Sequence, residues 1–394
     1  MKCANPGEDR VILCLNSGSS SVKLALFRLG KKEELLARGA AEQIGRPDSR
    51  LWIDGPAGEK QVDRRGAFPD HRAALQAGLT AFCRLRLPKP EAVGHRVVHG
   101  GLEYTSPALV DARLLAVLRG LIPFAPLHLP GAIDGIAAVS AQYPGIMQVA
   151  CFDTAFHRRM PEINQRFPLP RSFFDEGILR YGFHGLSYEY ILHVLGPEER
   201  GRTIIAHLGN GASMAAVLHG RPLDTTMGLT PAGGFMMGTR CGDLDPGIFL
   251  YLLREKSYDP ARLDELVNHQ SGLLGVSAVS SDMKTLLEKS TDDPHARQAV
   301  EMFCLQLRKH IGALAAVLGG IDTLVFTGGI GEHGAPVRRD VCQGLTHLGI
   351  RLDEAKNTMH ADLISSRESA CQVRVIPTNE DLMIARHTST LLSW

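Results

Sequence analysis

Residues 16–23 (NSGSSSVK) combine an amide, a glycine, several small hydroxyls and one ammonium group. The segment follows the apolar run 11–15, and the chain is apolar again at 24–27. This pattern predicts a strand, a tight polar turn and a second strand. Such a turn directs backbone N–H groups, hydroxyls and the Lys23 ammonium towards one point, which suits a phosphate. A solvated serine-rich hairpin is the alternative, but a second hairpin and two arginines favour the phosphate.

The second hairpin begins about half a chain later. A strand is predicted at 203–208, a turn at 209–213 that contains Asn210 between two glycines, and another strand at 214–218. The recurrence predicts two halves of similar topology, each of which opens with a hairpin that faces a phosphate.

Two arginines, Arg96 and Arg240, lie among glycines and apolar residues rather than on charged helix faces. An arginine in such a setting needs a partner, commonly a carboxylate or a phosphate held by two hydrogen bonds. Function is therefore one interpretation of both residues. The other is a buried ion pair, for example with Asp243 or Asp245.

Two carboxylates and two histidines are further candidates. Asp153 ends an apolar run that predicts a strand, a position from which carboxylates often face Mg²⁺, although Asp also caps helices. Glu380 has the same two interpretations. His184 lies in a loop of glycines and aromatic residues, and His128 lies between two prolines. Neither histidine indicates a role when taken alone.

The composition predicts a globular protein with more than one core. A chain of 394 residues suggests two domains. Its net charge of +1 favours neither nucleic acid nor a membrane surface. The N-terminal segment lacks the apolar centre of a signal peptide, and the eight cysteines form no Cys-x-x-Cys pair, so a cytoplasmic protein with reduced thiols is expected. No zinc pattern and no P-loop motif is present.

One helix and one strand are clear in the second half. Asp293-Pro294 predicts a helix start, apolar residues then recur at helical spacing, and Gly319-Gly320 predicts its end. A strand is expected at 321–326, followed by the glycine pair 328–329, where a ligand can contact backbone. Alternating strands and helices indicate an α/β protein.

Together these segments resemble the acetokinase family of short-chain carboxylate kinases, which is related to sugar kinases, actin and heat-shock chaperones. The resemblance runs nearly from end to end, in the family's order. It covers residues 15–23, 94–101, 125–131, 152–157, 180–185, 207–213, 236–247, 271–277, 326–333 and 377–386.

The resemblance implies a two-domain actin-like ATPase, or sugar-kinase-type, fold. Each domain would have a mixed β-sheet flanked by helices, in a duplicated topology. The N-terminal domain would be residues 1–152, completed by a C-terminal helix at about 386–394. Residues 153–385 would form the second domain, with the nucleotide site and the interface of a homodimer.

The implied reaction moves the γ-phosphoryl of ATP directly to a carboxylate, which gives an acyl phosphate and ADP. Mg²⁺ would assist, and Mn²⁺ could substitute for it. A carboxylate is already ionised at pH 7, so catalysis needs no general base and consists mainly of alignment and charge neutralisation. The acid would be acetate, and propionate is the nearest alternative.

The resemblance also assigns residues. Catalytic roles would belong to Arg96, Asp153, His184 and Arg240, and the metal would be held by Asn16 and Glu380. His128, Ser19 and Ser21 would either contact the transition state or lie directly behind the residues that do. The acid would contact Arg96, Val98, Leu127, Phe183 and Pro231. The nucleotide would contact Lys23, His207, Gly209, Asn210, Gly211, Asp282, Met283, Lys284, Gly329, Ile330 and Gly331.

The chain departs from the family pattern at five positions near these residues. Lys284 replaces the usual arginine, and His333 and Leu129 each replace an asparagine. Leu186 and Tyr188 differ from the family's FHGTSH segment. An actin-like or chaperone-like nucleotide switch and a degenerate family member that only binds nucleotide are the competing interpretations. The two arginines and the apolar acyl residues argue against a switch.

Overall fold

The structure is a computed structural model that describes residues 9–18, 21–85 and 87–392. The chain divides into two compact units. The first runs to Phe156 and resumes at Asn379, and the second is His157–Thr378. The domain boundaries predicted from the sequence, after residues 152 and 385, stay a prediction.

A mixed eight-stranded sheet organises the described part of the first unit, in the order β5-β4-β3-β2-β1-β6-β8-β7. Strand β1 pairs antiparallel with β2 and parallel with β6, which is parallel to β8. The strands are β1 (Arg10–Ser17), β2 (Ser21–Leu29), β3 (Glu33–Glu42), β4 (Arg50–Asp54), β5 (Lys60–Arg65), β6 (Ala92–Val97), β7 (Ala108–Leu109) and β8 (Met147–Phe152).

The first predicted hairpin is present, but its strands are longer than the sequence indicates. Asn16 and Lys23 face each other as partners in the β1–β2 ladder, and Ser17 pairs with Val22. The predicted turn is therefore shorter, because ladder hydrogen bonds continue into its polar residues. Ser19 lies outside the described residues.

A mixed five-stranded sheet organises the second unit, in the order β11-β10-β9-β12-β13. Strand β9 pairs antiparallel with β10 and parallel with β12, and β12 is parallel to β13. The second predicted hairpin is β9–β10. The strands are β9 (Arg202–Leu208), β10 (Ala212–Leu218), β11 (Arg221–Thr225), β12 (Thr323–Thr327) and β13 (Gln372–Val375).

The two sheets share one topology. The five strands β3-β2-β1-β6-β8 of the first unit match β11-β10-β9-β12-β13 of the second in order and in direction. In each unit, the two strands that come first along the chain form the polar hairpin, β1–β2 or β9–β10. The last two strands of each set, β6 and β8 or β12 and β13, run parallel to the first strand of that hairpin. The predicted duplicated topology is confirmed.

Helices flank both sheets. In the first unit, α1 and α3 pack on each other and on the sheet, and the final helix (Glu380–Leu392) packs on β1, β6 and β8. In chain order, the helices that precede this final helix are α1 (His71–Arg84), α2 (Ala112–Gly120), α3 (Leu129–Gln142), α4 (Glu162–Gln165), α5 (Arg171–Asp175), α6 (Gly185–Leu195), α7 (Pro246–Glu255), α8 (Pro260–His269), α9 (Gly272–Ser277), α10 (Met283–Lys289), α11 (Pro294–Leu318), α12 (Gly328–His333), α13 (Ala335–Gln343) and α14 (Glu354–Thr358).

Helix α11 begins and ends where the sequence predicts. The Asp293 carboxylate accepts hydrogen bonds from the backbone N–H groups of His295 and Ala296, at 2.8 and 3.1 Å. Gly319 ends the helix with φ 69°, a left-handed conformation that glycine adopts without steric cost. The apolar stripe between these caps is buried, which secures the helix beside the second sheet.

Short 3₁₀ turns at Ile122–Phe124, Phe156–Arg159 and Thr346–Leu348 complete the described secondary structure. Among the described residues, no helix combines the length and the apolar character that crossing a membrane requires.

Candidate active site

Arg96 is the centre of a polar cluster in the first unit. It lies near the end of β6, and its guanidinium donates to both carboxylate oxygens of Asp153, from Nε at 3.0 and 3.2 Å and from Nη2 at 2.6 Å. Nη1 donates to Asn16 Oδ1 at 3.2 Å and lies 3.5 Å from Glu380 Oε2. Three oxygen-bearing side chains therefore converge on one cation.

The cluster is well shielded from solvent. The side chain of Asp153 is 1% exposed, that of Glu380 13% and that of Arg96 17%. Burial alone would lower the pKa of Arg96, but the charges of Asp153 and Glu380 raise it above its ordinary value. The neighbouring Asp381 has its pKa raised to about 6 by burial and by the charge of Glu380. With two carboxylates on one guanidinium, the centre of the cluster is net negative.

Arg240 belongs to a different kind of cluster, over the turn of the second hairpin. A methyl group added to Gly211 would lie 3.3 Å from Arg240 Nη1 and 3.6 Å from His184 Nε2. The two nitrogen donors therefore converge above this glycine, where the lack of a side chain leaves room for a ligand. A cation and an imidazole over a backbone turn form a site that suits an anion.

No carboxylate neutralises Arg240 within the described part of the chain. Its side-chain hydrogen bond there goes to the carbonyl of Pro231, at 3.4 Å. Asp243 instead accepts from the Gly234 N–H, and Asp245 caps α7. Burial lowers the pKa of Arg240. The ion pair with Asp243 or Asp245, considered from the sequence, is absent from these residues, so Arg240 retains the capacity to bind an anion.

His184 is held in an unusual backbone conformation at the start of α6. Its φ of 59° is left-handed, a conformation that costs a residue with a side chain about 1 kcal/mol or more. The ring stacks on His207 with centroids 4.2 Å apart, and Nδ1 lies 2.8 Å from Ser213 Oγ. Ser213 and His207 are cross-strand partners in the β9–β10 hairpin. The hairpin thus positions the ring from two sides.

A cavity of about 680 Å³ opens within the second unit, beside the same hairpin turn. Its volume falls in the range of small-molecule sites in proteins. Seven of the eleven residues predicted to bind nucleotide line it, and they come from three separated segments. The lining residues are Gly209, Asn210, Ser281, Asp282, Met283, Lys284, Leu287, Gly329, Ile330, His333 and Gly334.

Two predicted nucleotide residues have structural roles in addition. Asp282 caps α10 and accepts from the backbone N–H and the hydroxyl of Thr285, at 2.9 and 2.8 Å, and these bonds lower its pKa. The carbonyl of Gly331 accepts from the buried guanidinium of Arg338 at 2.7 Å. Gly331 therefore supports the cavity wall rather than lining it.

The remaining predicted residues lie elsewhere in their units. In the first unit, Lys23 is exposed on β2, Ser21 begins that strand, and His128 directly precedes α3. Of the predicted acyl residues, Val98 and Phe183 are buried, whereas Leu127 and Pro231 are half-buried. Val98 and Leu127 belong to the first unit, and Phe183 and Pro231 to the second. The acyl pocket stays a prediction.

Several residues at these sites have contacts or positions that were not predicted from the sequence. Ser213 and Tyr188 contact each other beside His184, with 2.5 Å between Oγ and the phenol oxygen. Leu287 and Gly334 complete the cavity, and Asp381 stands beside the Arg96 cluster. The helical spacing of Met283 and Leu287 could have indicated a shared face, but the contact of Tyr188 with Ser213 joins residues on separate elements.

Comparison with known proteins identifies the family. A profile of the acetokinase family matches residues 11–386. The acetate kinase of Methylocella silvestris is 46% identical, over 98% of this chain and 98% of its own length. The crystal structure of Porphyromonas gingivalis acetate kinase is 40% identical, with a TM-score of 0.86 over 97% of this chain and 100% of that one. A propionate kinase from Francisella tularensis subsp. tularensis has a TM-score of 0.88 at 36% identity, over 97% of this chain and 99% of that one.

The fold and these relatives define the class of protein as a phosphotransferase with the two-domain actin-like ATPase fold. The chain belongs to the acetokinase family. The predicted family, fold class and kinase activity are confirmed, and the alternative of a nucleotide switch is set aside.

Proposed function

We propose that the protein transfers the γ-phosphoryl of ATP reversibly to acetate, which gives acetyl phosphate and ADP. The observation that carries the proposal is the convergence of Arg240 Nη1 and His184 Nε2 above Gly211, next to a cavity lined by predicted nucleotide residues. Relatives at 46% identity are named acetate kinases, which supports acetate as the acid.

The step is a direct in-line displacement. A carboxylate oxygen of acetate forms a bond to the γ-phosphorus while the bond from that phosphorus to the β,γ-bridging oxygen breaks, and ADP leaves with the electron pair. Arg240 and His184 would donate to the phosphoryl oxygens as charge spreads over them. Arg96 would orient the acetate carboxylate. No proton moves, because the nucleophile is already an anion at pH 7.

The nucleotide would occupy the cavity of the second unit. Gly209, Asn210 and Gly211 would contact its phosphates, and Asp282–Lys284 with Gly329 and Ile330 would contact its adenosine. Lys284 replaces an arginine that is usual in the family, and a lysine ammonium cannot stack on a base as a planar guanidinium does. His207 and Lys23 would assist in binding the phosphates of the nucleotide. Gly331 would hold the cavity wall in position through its hydrogen bond with Arg338.

The Arg96 cluster fits a divalent cation by its donor chemistry. Asn16 and Glu380 offer the amide and carboxylate oxygens that Mg²⁺ prefers, and Asp153 adds buried negative charge. The described residues contain no group of three or more acidic, histidine or cysteine side chains arranged as a metal site. Mg²⁺ commonly takes few protein ligands and completes its shell with water and substrate phosphates. We propose Asn16 and Glu380 as its holders, with Asp153 orienting them; Mn²⁺ would substitute. The ion would neutralise phosphate charge.

Propionate is the second candidate acid, because a propionate kinase is among the structural relatives. Val98, Leu127, Phe183 and Pro231 are the proposed acyl contacts. One additional methylene changes binding in an apolar pocket by only about 1–3 kcal/mol. Selectivity between the two acids is therefore a matter of degree, and both belong in the first assay.

The assay combines the purified protein with ATP, Mg²⁺, hydroxylamine and acetate, propionate or butyrate. Hydroxylamine traps an acyl phosphate as a coloured hydroxamate. We expect hydroxamate with a higher kcat/KM for acetate than for propionate, and none after chelation of the metal until Mg²⁺ or Mn²⁺ is restored. Release of phosphate from ATP without hydroxamate would contradict the proposal. A preference for propionate would replace the acid and keep the reaction.

We further propose that the protein is a cytoplasmic homodimer, joined through the second unit. Helix α7 has no buried residue and exposes large apolar side chains, which include Ile248, Leu250, Tyr251 and Leu253. Exposed apolar patches of this kind mark interfaces. Sedimentation should give a dimer mass that falls to the monomer mass in Tyr251→Glu. A wild-type monomer would contradict the proposal.

A further inference from the structure

We infer that Tyr188 is a positioning residue that holds His184 in the tautomer with its proton on Nε2, and that it acts through Ser213. Tyr188 is fully buried on α6, and its phenol oxygen lies 2.5 Å from Ser213 Oγ. The same Oγ lies 2.8 Å from His184 Nδ1. One serine hydroxyl thus stands between a phenol and an imidazole.

The direction of these hydrogen bonds follows from the acidity of the groups. A phenol has a pKa near 10 and donates more strongly than an aliphatic hydroxyl. Tyr188 therefore donates to Ser213 Oγ, and the serine hydrogen is directed to the lone pair of His184 Nδ1. With Nδ1 accepting, the proton of a neutral imidazole must be on Nε2.

The surroundings keep Tyr188 in a fixed position. Its ring meets the ring of His157 edge to face, with centroids 5.5 Å apart. His157 in turn bonds the carbonyl of Phe183, which immediately precedes His184, through Nε2 at 2.9 Å. His157 therefore contacts the backbone next to the strained residue His184, and Tyr188 contacts Ser213, the serine that orients the His184 ring.

This assignment rests on the proposed function, because it explains how His184 donates to a phosphoryl oxygen. Nε2 is the ring atom that points over Gly211 beside Arg240 Nη1. Without the phenol, the Ser213 hydroxyl can rotate its hydrogen away from His184, so that Oγ accepts a hydrogen bond from Nδ1–H instead. Nε2 would then present a lone pair to the anion, and the hydrogen bond would become a repulsion.

The first test reads the tautomer and does not depend on activity. Protein labelled with ¹⁵N at histidine is examined by NMR without substrate, and the His184 signals are identified by their loss in His184→Gln. We expect an Nε2–H ring in the wild type and a population of Nδ1–H in Tyr188→Phe. Tyr190→Phe is the matched control, because it removes a hydroxyl from the same helix for which the described residues show no hydrogen bond. An unchanged tautomer in Tyr188→Phe overturns the inference.

The second test measures turnover. We expect kcat to fall about tenfold in Tyr188→Phe and in Ser213→Ala, as for the loss of one oriented hydrogen bond, with KM for ATP within about twofold of the wild type. The double variant should be no slower than either single one, because both remove the same link. Tyr188→His has a hydrogen-bonding side chain at this position, so its kcat should lie between those of Tyr188→Phe and the wild type. Additive losses in the double variant would contradict the inference.

The two failures are distinguishable. If the wild type forms no acyl phosphate, the proposed function is wrong, whereas the NMR experiment still decides the tautomer. If acyl phosphate forms and Tyr188→Phe leaves both the tautomer and kcat unchanged, the positioning role alone is wrong. Thermal melting of each variant shows whether a loss of kcat comes from unfolding.

Discussion

Arg96 and Arg240 have nearly the same sequence setting, among glycines and apolar residues, but the structure surrounds them differently. Arg96 donates to Asp153 and Asn16 and lies beside Glu380, so its charge is more than balanced. Arg240 has a carbonyl at 3.4 Å and no carboxylate within the described residues. The first cluster attracts cations, whereas the second attracts anions.

The comparison shows that partners, rather than residue type, decide what a buried arginine does. A guanidinium that already donates to carboxylates keeps only its remaining Nη N–H groups for an anionic substrate, and the proposed contact of Arg96 with acetate depends on these. A guanidinium whose donors are nearly unused, such as that of Arg240, keeps them for a ligand. Burial of its charge without a carboxylate is unfavourable, and this lowers the pKa of Arg240. Removing the two arginines should therefore have different consequences for activity and for stability.

The largest expected effect is on turnover in Arg240→Ala. If Arg240 neutralises the phosphoryl group in the transition state, kcat should fall by about 10³ or more. The melting temperature should stay near that of the wild type, because no buried carboxylate loses a partner. Arg367→Ala, at an exposed position, is the control. A variant that keeps more than a tenth of the wild-type kcat would remove Arg240 from the proposed chemistry.

The next effect is on stability in Arg96→Ala. Asp153 is 1% exposed, and without its counter-charge it would be left ionised and buried, which typically costs about 3 kcal/mol. We expect a clear drop in melting temperature together with the loss of activity. Adding Asp153→Asn should recover stability but not activity. The matched control is Arg202→Ala, which breaks the largely exposed pair with Asp322 and should change the melting temperature less.

Gly211→Ala probes the anion cluster on a smaller scale. The added methyl group would lie 3.3 Å from Arg240 Nη1, which is tighter than most contacts of this kind, and 3.6 Å from His184 Nε2, which is an ordinary van der Waals distance. It would occupy the space proposed for the phosphoryl oxygens. We expect kcat to fall by about tenfold, with a melting temperature close to the wild type. Ala212→Ser, on the next residue of the hairpin, is the comparison variant. An unaltered kcat in Gly211→Ala would move the phosphoryl site away from this turn.

The sequence was sufficient for features that local pattern determines. Both hairpins, the caps of α11 and the repeated topology follow from apolar runs, Asp-Pro and glycines that act over a few residues. The length of the first turn was overestimated because polar side chains do not interrupt backbone ladders. Local pattern could not show that Asn16, Asp153 and Glu380 contact Arg96, since they come from β1, the end of β8 and the final helix. Only the folded sheet brings these distant positions onto one guanidinium.

The smallest expected effect compares a buried histidine in each unit. Burial lowers the pKa of His95 in the first unit and of His157 in the second to about 4, only partly opposed by their hydrogen bonds to Gln148 and Phe183. Both folded-state values lie below the value of about 6.5 for an unfolded chain. Protonation therefore favours the unfolded state, so stability is fully present above about pH 6.5 and falls as the pH drops towards 4.

At pH 5.5, each histidine should lower the free energy of unfolding by about 1 kcal/mol relative to pH 7.5. His95→Gln keeps a hydrogen-bonding side chain beside Gln148 and removes the titration. Its melting temperature should therefore change less between the two pH values than that of the wild type, whatever its stability at pH 7.5. His347→Gln, at an exposed position, should retain the wild-type difference. If the melting temperature changed equally between the two pH values in all three proteins, His95 would contribute no pH dependence to the stability of the first unit. Burial would then not disfavour protonation of the His95 imidazole, contrary to what its surroundings predict.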